Sequence, residues 1–527
     1  MSQGYLALVL HAHLPYIRHP EHEEFLEEDW LFEAMTETYL PLIHMWESLA
    51  SDNTPFAMSM TVTPTLMEML ADPLLQARYV RYLDRRIELM AKELERTKET
   101  QPAHRAAGFY AERYAQCRTA FLDTYGSNLV RAFRKFQDLG NVEILTCAAT
   151  HGLLPLMLTP NAVRGQVATA ARAYERHMGR PPKGIWLPEC AFRVGIDHIL
   201  GEFGLTHFLV DTHGVLNAYP TPPAGVHAPV RLPSGVAAFG RDLESSKQVW
   251  SSEEGYPGDA DYREFYRDLG YDADYDHIQP YLHPDGVRRN LGVKYHRVTG
   301  KVDLSQKDLY DVDRAIQRAE EHAGHFLWCR EHQIKWLGEH LDCAPVVVAP
   351  YDAELYGHWW FEGPHFLEQF FRKAQYAKDA FQTVTLQGYL DRHESVFEAT
   401  PSTSSWGNKG YFEVWLNGAN DWIYRHLHRA ERRLGDLARA HASSRGAVAD
   451  ALNQAARELL LAQSSDWAFI MSTGTTVPYA HRRTREHVHR FNVLCDEVEQ
   501  GAVKPETAKA YCGLNPLFPD VDFRDWK

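Results

Sequence analysis

Short apolar, β-rich runs recur along the chain at Tyr5–Leu10, Phe56–Val62, Val142–Thr146, Gly184–Trp186, His207–Val210, Lys247–Trp250 and Pro345–Ala349. Stretches with helical spacing separate them, so the first ~395 residues read as an alternating βα domain. Seven such strands predict a barrel with one unit missing. Polar residues cluster just after the strands: His11 and His13, Thr63-Pro64, His151-Gly152, Glu189, Asp211 and His213, and Asp352. Active sites of parallel barrels gather at that end of the strands, which predicts one shared cleft. Helical spacing from Arg78 to Leu139, stopped by Gly140, predicts an insertion of about residues 66–139 between the second and third strands. After the Ser/Thr/Gly-rich stretch Pro401–Gly410 the pattern turns helical, at Asn420–His441, Gly446–Gln463 and Val477–Gln500. Two domains follow: an α/β barrel over 1–395 and an all-helical domain over 396–527.

Composition narrows the partners. Fifty-five basic against seventy acidic residues give a net charge of −15, with both signs interspersed. That surface repels phosphate backbones and anionic lipid, so neither nucleic acid nor membrane is expected as a partner. No window approaches eighteen apolar residues, and the amino terminus lacks a basic region followed by an apolar one. Seven scattered cysteines without a C-x-x-C pair argue against a disulfide framework or a structural zinc site. A soluble protein of the reducing cytoplasm is expected, with no obligatory protein partner.

Glu189 and Asp352 are the candidate catalytic pair. Each stands at a strand end among aromatic residues, in Trp186-Leu187-Pro188-Glu189 and in Tyr351-Asp352 through Trp359-Trp360. Two carboxylates facing each other across an aromatic cleft are what glycosidic bond chemistry requires. A single carboxylate after a strand is ordinarily only a surface residue; the repetition makes the case. His11 and His13, two apart on the first strand, share one side, and His151 and His358 are expected to converge with them. They either hydrogen-bond sugar hydroxyls or, with Asp211, ligate zinc, and a purely structural role stays open for each. Trp250, Trp406 and Trp415 lie in segments rich in polar residues and glycine, where stacking on sugar rings competes with simple burial. The Arg425–Arg433 and His481–Arg490 clusters read as solvated helix faces. No phosphate-binding loop, nucleophile elbow or dinucleotide fingerprint is present.

Collectively the His11-Ala12-His13-Leu14-Pro15-Tyr16 opening, Glu37 to Leu42, Thr63-Pro64, Ala149 to Gly152, Trp186 to Glu189, Tyr351 to Trp360 and Ser465-Asp466-Trp467 resemble glycoside hydrolase family 57. The likeness is to its 1,4-α-glucan branching enzymes. It implies an incomplete (β/α)7 barrel with helical insertions, followed by an all-helical C-terminal domain. It further implies retention of configuration, no metal and no cofactor, with Glu189 as nucleophile and Asp352 as general acid/base. By the same resemblance His11, His13 and His151 contact the sugar at the cleavage point. Trp250, Trp406, Trp415, Asp466 and Trp467 line the donor and acceptor cleft, and Arg263 falls in a stretch typical of the branching subgroup. The expected substrate is α-1,4-glucan such as amylose or glycogen, cleaved and passed to a 6-hydroxyl. One departure stands out: where the family carries Tyr-Gly on a loop after the fifth strand, this chain has Ala224-Gly225, with Tyr219 nearby. Alternatives within the family are a predominantly hydrolytic α-amylase or a 4-α-glucanotransferase. Outside it stand a metal-dependent polysaccharide deacetylase or α-mannosidase using His11, His13, His151 and Asp211, and a non-catalytic glycan-binding protein.

Overall fold

The computed structural model describes residues 3–251 and 254–527. Among the described residues there are ten strands: β1 (Gly4–Ala12), β2 (Met58–Val62), β3 (Val142–Leu145), β4 (Gly184–Ile185), β5 (His207–Val210), β6 (Val230–Arg231), β7 (Ala237–Gly240), β8 (Val346–Asp352), β9 (Phe381–Thr383) and β10 (Phe397–Glu398). One sheet runs β3-β2-β1-β8 with β9 also on β1, and the other runs β10-β6-β7-β5-β4. A parallel bridge between Thr146 and Ile185 joins β3 to β4. Opposite, the Asp242 N–H after β7 donates to the Val348 carbonyl of β8 at 2.9 Å. The circuit β1-β2-β3-β4-β5-β7-β8 is the seven-stranded incomplete barrel. Its strands are buried on both faces, as parallel sheets wrapped by helices are; β1 has a single partly exposed residue.

Register then sets the site. On β1, His11 pairs with Thr61 of β2 and with Asp352 of β8, so an imidazole and a carboxylate emerge side by side at the strands' carboxyl ends. Gly184, which opens β4, has no room for a side chain, because a Cβ there would sit 2.2 Å from the His207 imidazole on β5.

One predicted strand is wrong. Lys247–Trp250 belongs to the helix Leu243–Trp250, whose start is capped by the Asp242 carboxylate accepting from Ser245 N at 2.7 Å. The strand that fills its place, β7, reads Ala-Ala-Phe-Gly and lacks the β-branched residues that make a strand conspicuous.

The predicted insertion opens within the helix Pro64–Ala71 and continues as the helices Pro73–Thr97, Gln101–Thr119 and Val130–Asp138, and Gly140 takes the left-handed φ of +81° that ends it. After β10 the chain is irregular to residue 423. Five helices follow: Tyr424–Ala440, Ala447–Ala462, Ser465–Thr473, Val477–Glu499 and Pro505–Leu514. They pack directly on the barrel. A Cβ at Gly165, on a barrel helix, would lie 2.3 Å from the buried Trp526 indole, so glycine makes the close approach possible. Strand β10 pairs with β6 and lies beyond residue 395.

Candidate active site

A cleft of about 920 Å³ opens at the carboxyl ends of the strands. Glu189 and Asp352 both line it, as do His11, His13, His151, Trp250, Trp406, Trp415 and Asp466.

Glu189 follows β4 through Pro188 with left-handed backbone, φ +62°, and Cys190 continues at +49°. Two such non-glycine residues in succession hold strain of order 1–3 kcal/mol each, which only surrounding structure maintains. That structure is the Ser/Thr/Gly-rich stretch itself. Ser404 pairs with Phe192 through two backbone hydrogen bonds, and Trp406 N–H donates to the Glu189 carbonyl at 3.0 Å. The Trp406 indole N–H in turn donates to Glu189 Oε2 at 2.6 Å. A stretch that reads as a linker is a clamp over the carboxylate.

Burial pushes Glu189 up to about 8, helped by the negative charges of Asp352 and Asp466 and opposed by the Trp406 N–H. Burial likewise raises Asp352 to about 7, with Glu354 adding to it and His13 and Arg241 opposing. Burial, with the charge of Asp352 adding to it at Glu189, brings both carboxyls into the neutral range, so each titrates near the pH at which it must give or withhold a proton. Of the two, Glu189 has the donor that stabilises an anion.

The histidines form a stacked column. His13 lies on His151 with ring centroids 3.8 Å apart, and His11 lies on Trp186 at 4.5 Å. His11 Nε2 and His151 Nε2 are 3.0 Å apart, and His151 Nδ1 meets Ser465 Oγ at 2.8 Å. Burial, with the neighbouring imidazoles, lowers His11 and His151 well below the usual histidine value, so both are neutral at pH 7. His13 Nε2–H donates to Asp466 Oδ2 at 3.0 Å, and its Nδ1 accepts from Thr63 Oγ1 at 3.1 Å. Burial alone would raise Asp466, yet His13 and the Ser464 hydroxyl hold it at about 2. It is a fixed anion over the cleft.

Metal ligation by His11, His13, His151 and Asp211 does not match this arrangement. Asp211 caps the start of the next helix through Thr212 N at 2.8 Å, and the acid that reaches the histidines is Asp466, from the helical part. Among the described residues His13, His151 and Asp466 could bring ligand atoms within 4.8 Å of one another. Their two rings are parallel to within 13° and every ring nitrogen of both is hydrogen-bonded. Parallel rings do not converge their lone pairs on one ion, as a tetrahedral site needs.

Other expected positions shift in kind. Trp250 ends a helix, with its ring edge-on to Trp406 at 6.0 Å. Trp415 touches the cleft but is only 1% exposed, so it is no open platform. Trp467 is fully buried, its indole N–H given to the Leu461 carbonyl, and it is off the cleft wall. Arg263 is buried behind the wall: it pairs with Glu37 at 3.1 Å and donates to the His358 carbonyl at 3.0 Å. It supports a wall residue instead of touching the cleft. Neither Tyr219, 85% exposed, nor Ala224 lines the cleft.

The sequence reading missed Trp30, Glu33, Arg241, Glu354, Trp359 and Phe469, all on the wall. Glu354 and Trp359 sit inside the Tyr351–Trp360 motif and Phe469 one helical turn after Asp466, so their signal was proximity. Trp30 and Glu33 come from a helix far from any strand end.

Comparison with known proteins accords with this architecture. The model of glycosyl hydrolase family 57 matches residues 7–399, and that of the 1,4-alpha-glucan branching enzyme C-terminal region matches 426–526. The crystal structure of the alpha-amylase AmyC from Thermotoga maritima superposes with a TM-score of 0.93 at 46% identity, covering 99% of each chain. The branching enzyme of Pyrococcus horikoshii gives 0.88 at 33% identity, covering 99% of this chain and 97% of that one. The 1,4-alpha-glucan branching enzyme TK1436 of Thermococcus kodakarensis is 34% identical over 94% of this chain and 74% of its own length. Fold and site together define a carbohydrate-active barrel enzyme. The chain belongs to glycoside hydrolase family 57.

Proposed function

We propose that the protein is a 1,4-α-glucan branching enzyme that works by double displacement, in the cytoplasm, on glycogen-like glucan. The observation that carries the mechanism is the Trp406 N–H on Glu189, with Asp352 entering the same cleft from β8. The indole N–H opposes the burial that raises Glu189 and stabilises it as the attacking carboxylate in the reacting state, while Asp352, itself raised to about 7, is the proton donor. Glu189 attacks the anomeric carbon while Asp352 delivers its proton to the departing 4-oxygen; the C1–O4 bond breaks and an ester to Glu189 forms. Asp352 then takes the proton of an incoming 6-hydroxyl. A C1–O6 bond replaces the ester and Glu189 is released. The stacked rings of His11, His13 and His151, with the Asp466 carboxylate beside them, form a fixed surface for the sugar at the cleavage point. Trp250, Trp406 and Trp359 supply aromatic wall for the chains on either side and exclude water, which competes for the ester.

The match of residues 426–526 to a branching-enzyme C-terminal region and the curated relatives' names support transfer. A hydrolytic reading draws on the 46% identity to a protein described as an α-amylase. Incubation with amylose separates them. Branching yields new α-1,6 linkages in excess of new reducing ends. Reducing ends without α-1,6 linkages would establish the amylase instead.

A further inference from the structure

The helix Val312–His340 repeats one device twice on its outer side. It buries Phe326, Ile334 and Leu337 against the barrel, yet Trp328 and Trp336 are 55% and 58% exposed. Four residues after each tryptophan stands a histidine whose ring lies on the indole: His332 on Trp328 at 4.2 Å between centroids, and His340 on Trp336 at 4.3 Å. Each imidazole also bonds through Nδ1 to the backbone carbonyl of its own tryptophan, at 2.8 and 2.7 Å. That second bond fixes the ring. An imidazole pinned to the i−4 carbonyl braces each indole from one side; Trp328 also has the His325 ring stacked at 6.3 Å between centroids, and both indoles remain more than half exposed.

At a spacing of four each position turns about 40° from the one before, so Trp328, His332, Trp336 and His340 follow a strip that winds round the helix, with the two indoles about 12 Å apart along its axis. Lys335 and Glu339 are exposed beside the strip. Charged groups are depleted at the core of protein interfaces, so a strip of two flat rings bordered by charges does not suit an apolar protein surface. It suits a polyhydroxylated chain, whose sugar faces stack on indoles while hydroxyls bond the flanking polar groups.

Its position points the same way. Cys329, next to Trp328, receives a hydrogen bond from Gln248 Nε2 at 3.2 Å, and Gln248 lies on the helix that ends with Trp250 on the cleft wall. At the other end of the strip, Gly338 packs on Gln3 beside the start of β1, at the bottom of the barrel. The strip runs from beside a cleft element down the outside of the barrel.

We propose that Trp328 and Trp336 form an accessory binding site for polymeric α-glucan, separate from the catalytic cleft. The proposal rests on the reading of α-glucan as substrate. The site holds a long chain by a segment remote from the bond being cut, which raises the local concentration of chain at the cleft.

The test is electrophoresis through gels containing amylose, with Glu189→Gln in every protein so that the polymer stays intact. The Trp328→Ala/Trp336→Ala pair is expected to weaken retardation at least fivefold, and the Trp328→Phe/Trp336→Phe pair to keep most of it. In the active background, turnover of a short malto-oligosaccharide is unchanged while KM for amylose rises. Equal retardation of the Ala pair overturns the site, as does a wild type that amylose does not slow, whatever products the enzyme forms. Equal loss on the short substrate also overturns it, by assigning the strip to the fold or the cleft. So does a self-associating wild type made monomeric by the Ala pair, which would make the strip a contact between copies. The linkages formed from amylose test the proposed function independently.

Discussion

Glu189 is a carboxylate that the fold strains, buries and then partly stabilises. Replacing it by Gln, or Asp352 by Asn, is expected to lower turnover at least about a thousandfold, since losing the nucleophile or the proton donor removes several kcal/mol of barrier lowering. Activity above a tenth of wild type would refute the role. The same variants are expected to melt higher at neutral pH. Both acids are raised in the folded state, so folding favours their protonated forms. The penalty for ionising them is absent below about pH 4, grows through the window up to about 8, and is complete above it. Thermal melts at pH 4 and pH 8 check the sign: the gain in Tm belongs at pH 8. Trp406→Phe keeps a ring and deletes the N–H that favours ionised Glu189. The acid limb of kcat/KM should move to higher pH, with about 1.5–3 kcal/mol of charge-assisted hydrogen bonding lost. An unmoved limb would mean that the indole only packs.

At the scale of elements, the helix Ser465–Thr473 places Ser465 and Asp466 over the barrel. Its approach is fixed by Ser465 N–H donating to the His151 carbonyl at 3.1 Å. Asp466→Asn should leave His13 with a weaker acceptor and cut activity about ten- to a hundredfold, through loss of one charge-assisted bond. Retention of full activity would show that Thr63 alone orients the ring. Because the nitrogens of His13 and His151 are all engaged, exhaustive dialysis against a strong chelator is expected to leave turnover unchanged. Activity lost on dialysis and restored by a divalent ion would return the metal-dependent reading.

Taken as a whole, the helical C-terminal part is a wall of the active site and a cover for the barrel. A chain ending at residue 423 would lose Asp466 and Ser465 and uncover the barrel surface on which Trp526 and its neighbours pack. The expected outcome is an insoluble or inactive product, read from soluble yield and turnover on amylose. A soluble, active truncation would show the barrel to be self-sufficient. No helix among the described residues is long and apolar enough to cross a membrane.

The sequence by itself determined the elements that announce themselves locally. Apolar runs gave six of the seven barrel strands, and helical spacing with glycine stops gave the insertion and three of the C-terminal helices. The polar residues at strand ends gave the two cleft carboxylates, because strand ends in a parallel barrel converge whatever the distance along the chain. Only the tertiary structure decided what depended on approach from elsewhere. β7 is too short and too poor in β-branched residues to be seen without its neighbours. Trp415 stood in the same kind of segment as Trp406, and Trp467 and Arg263 came with family motifs, but packing turned all three inward or behind the wall while a backbone pairing of Ser404 with Phe192 held Trp406 on Glu189. Asp466 replaced Asp211 beside the histidines because a helix more than 250 residues later docks there. Periodicity is written into each segment, whereas the direction a side chain faces is fixed only by the partner that covers its other side.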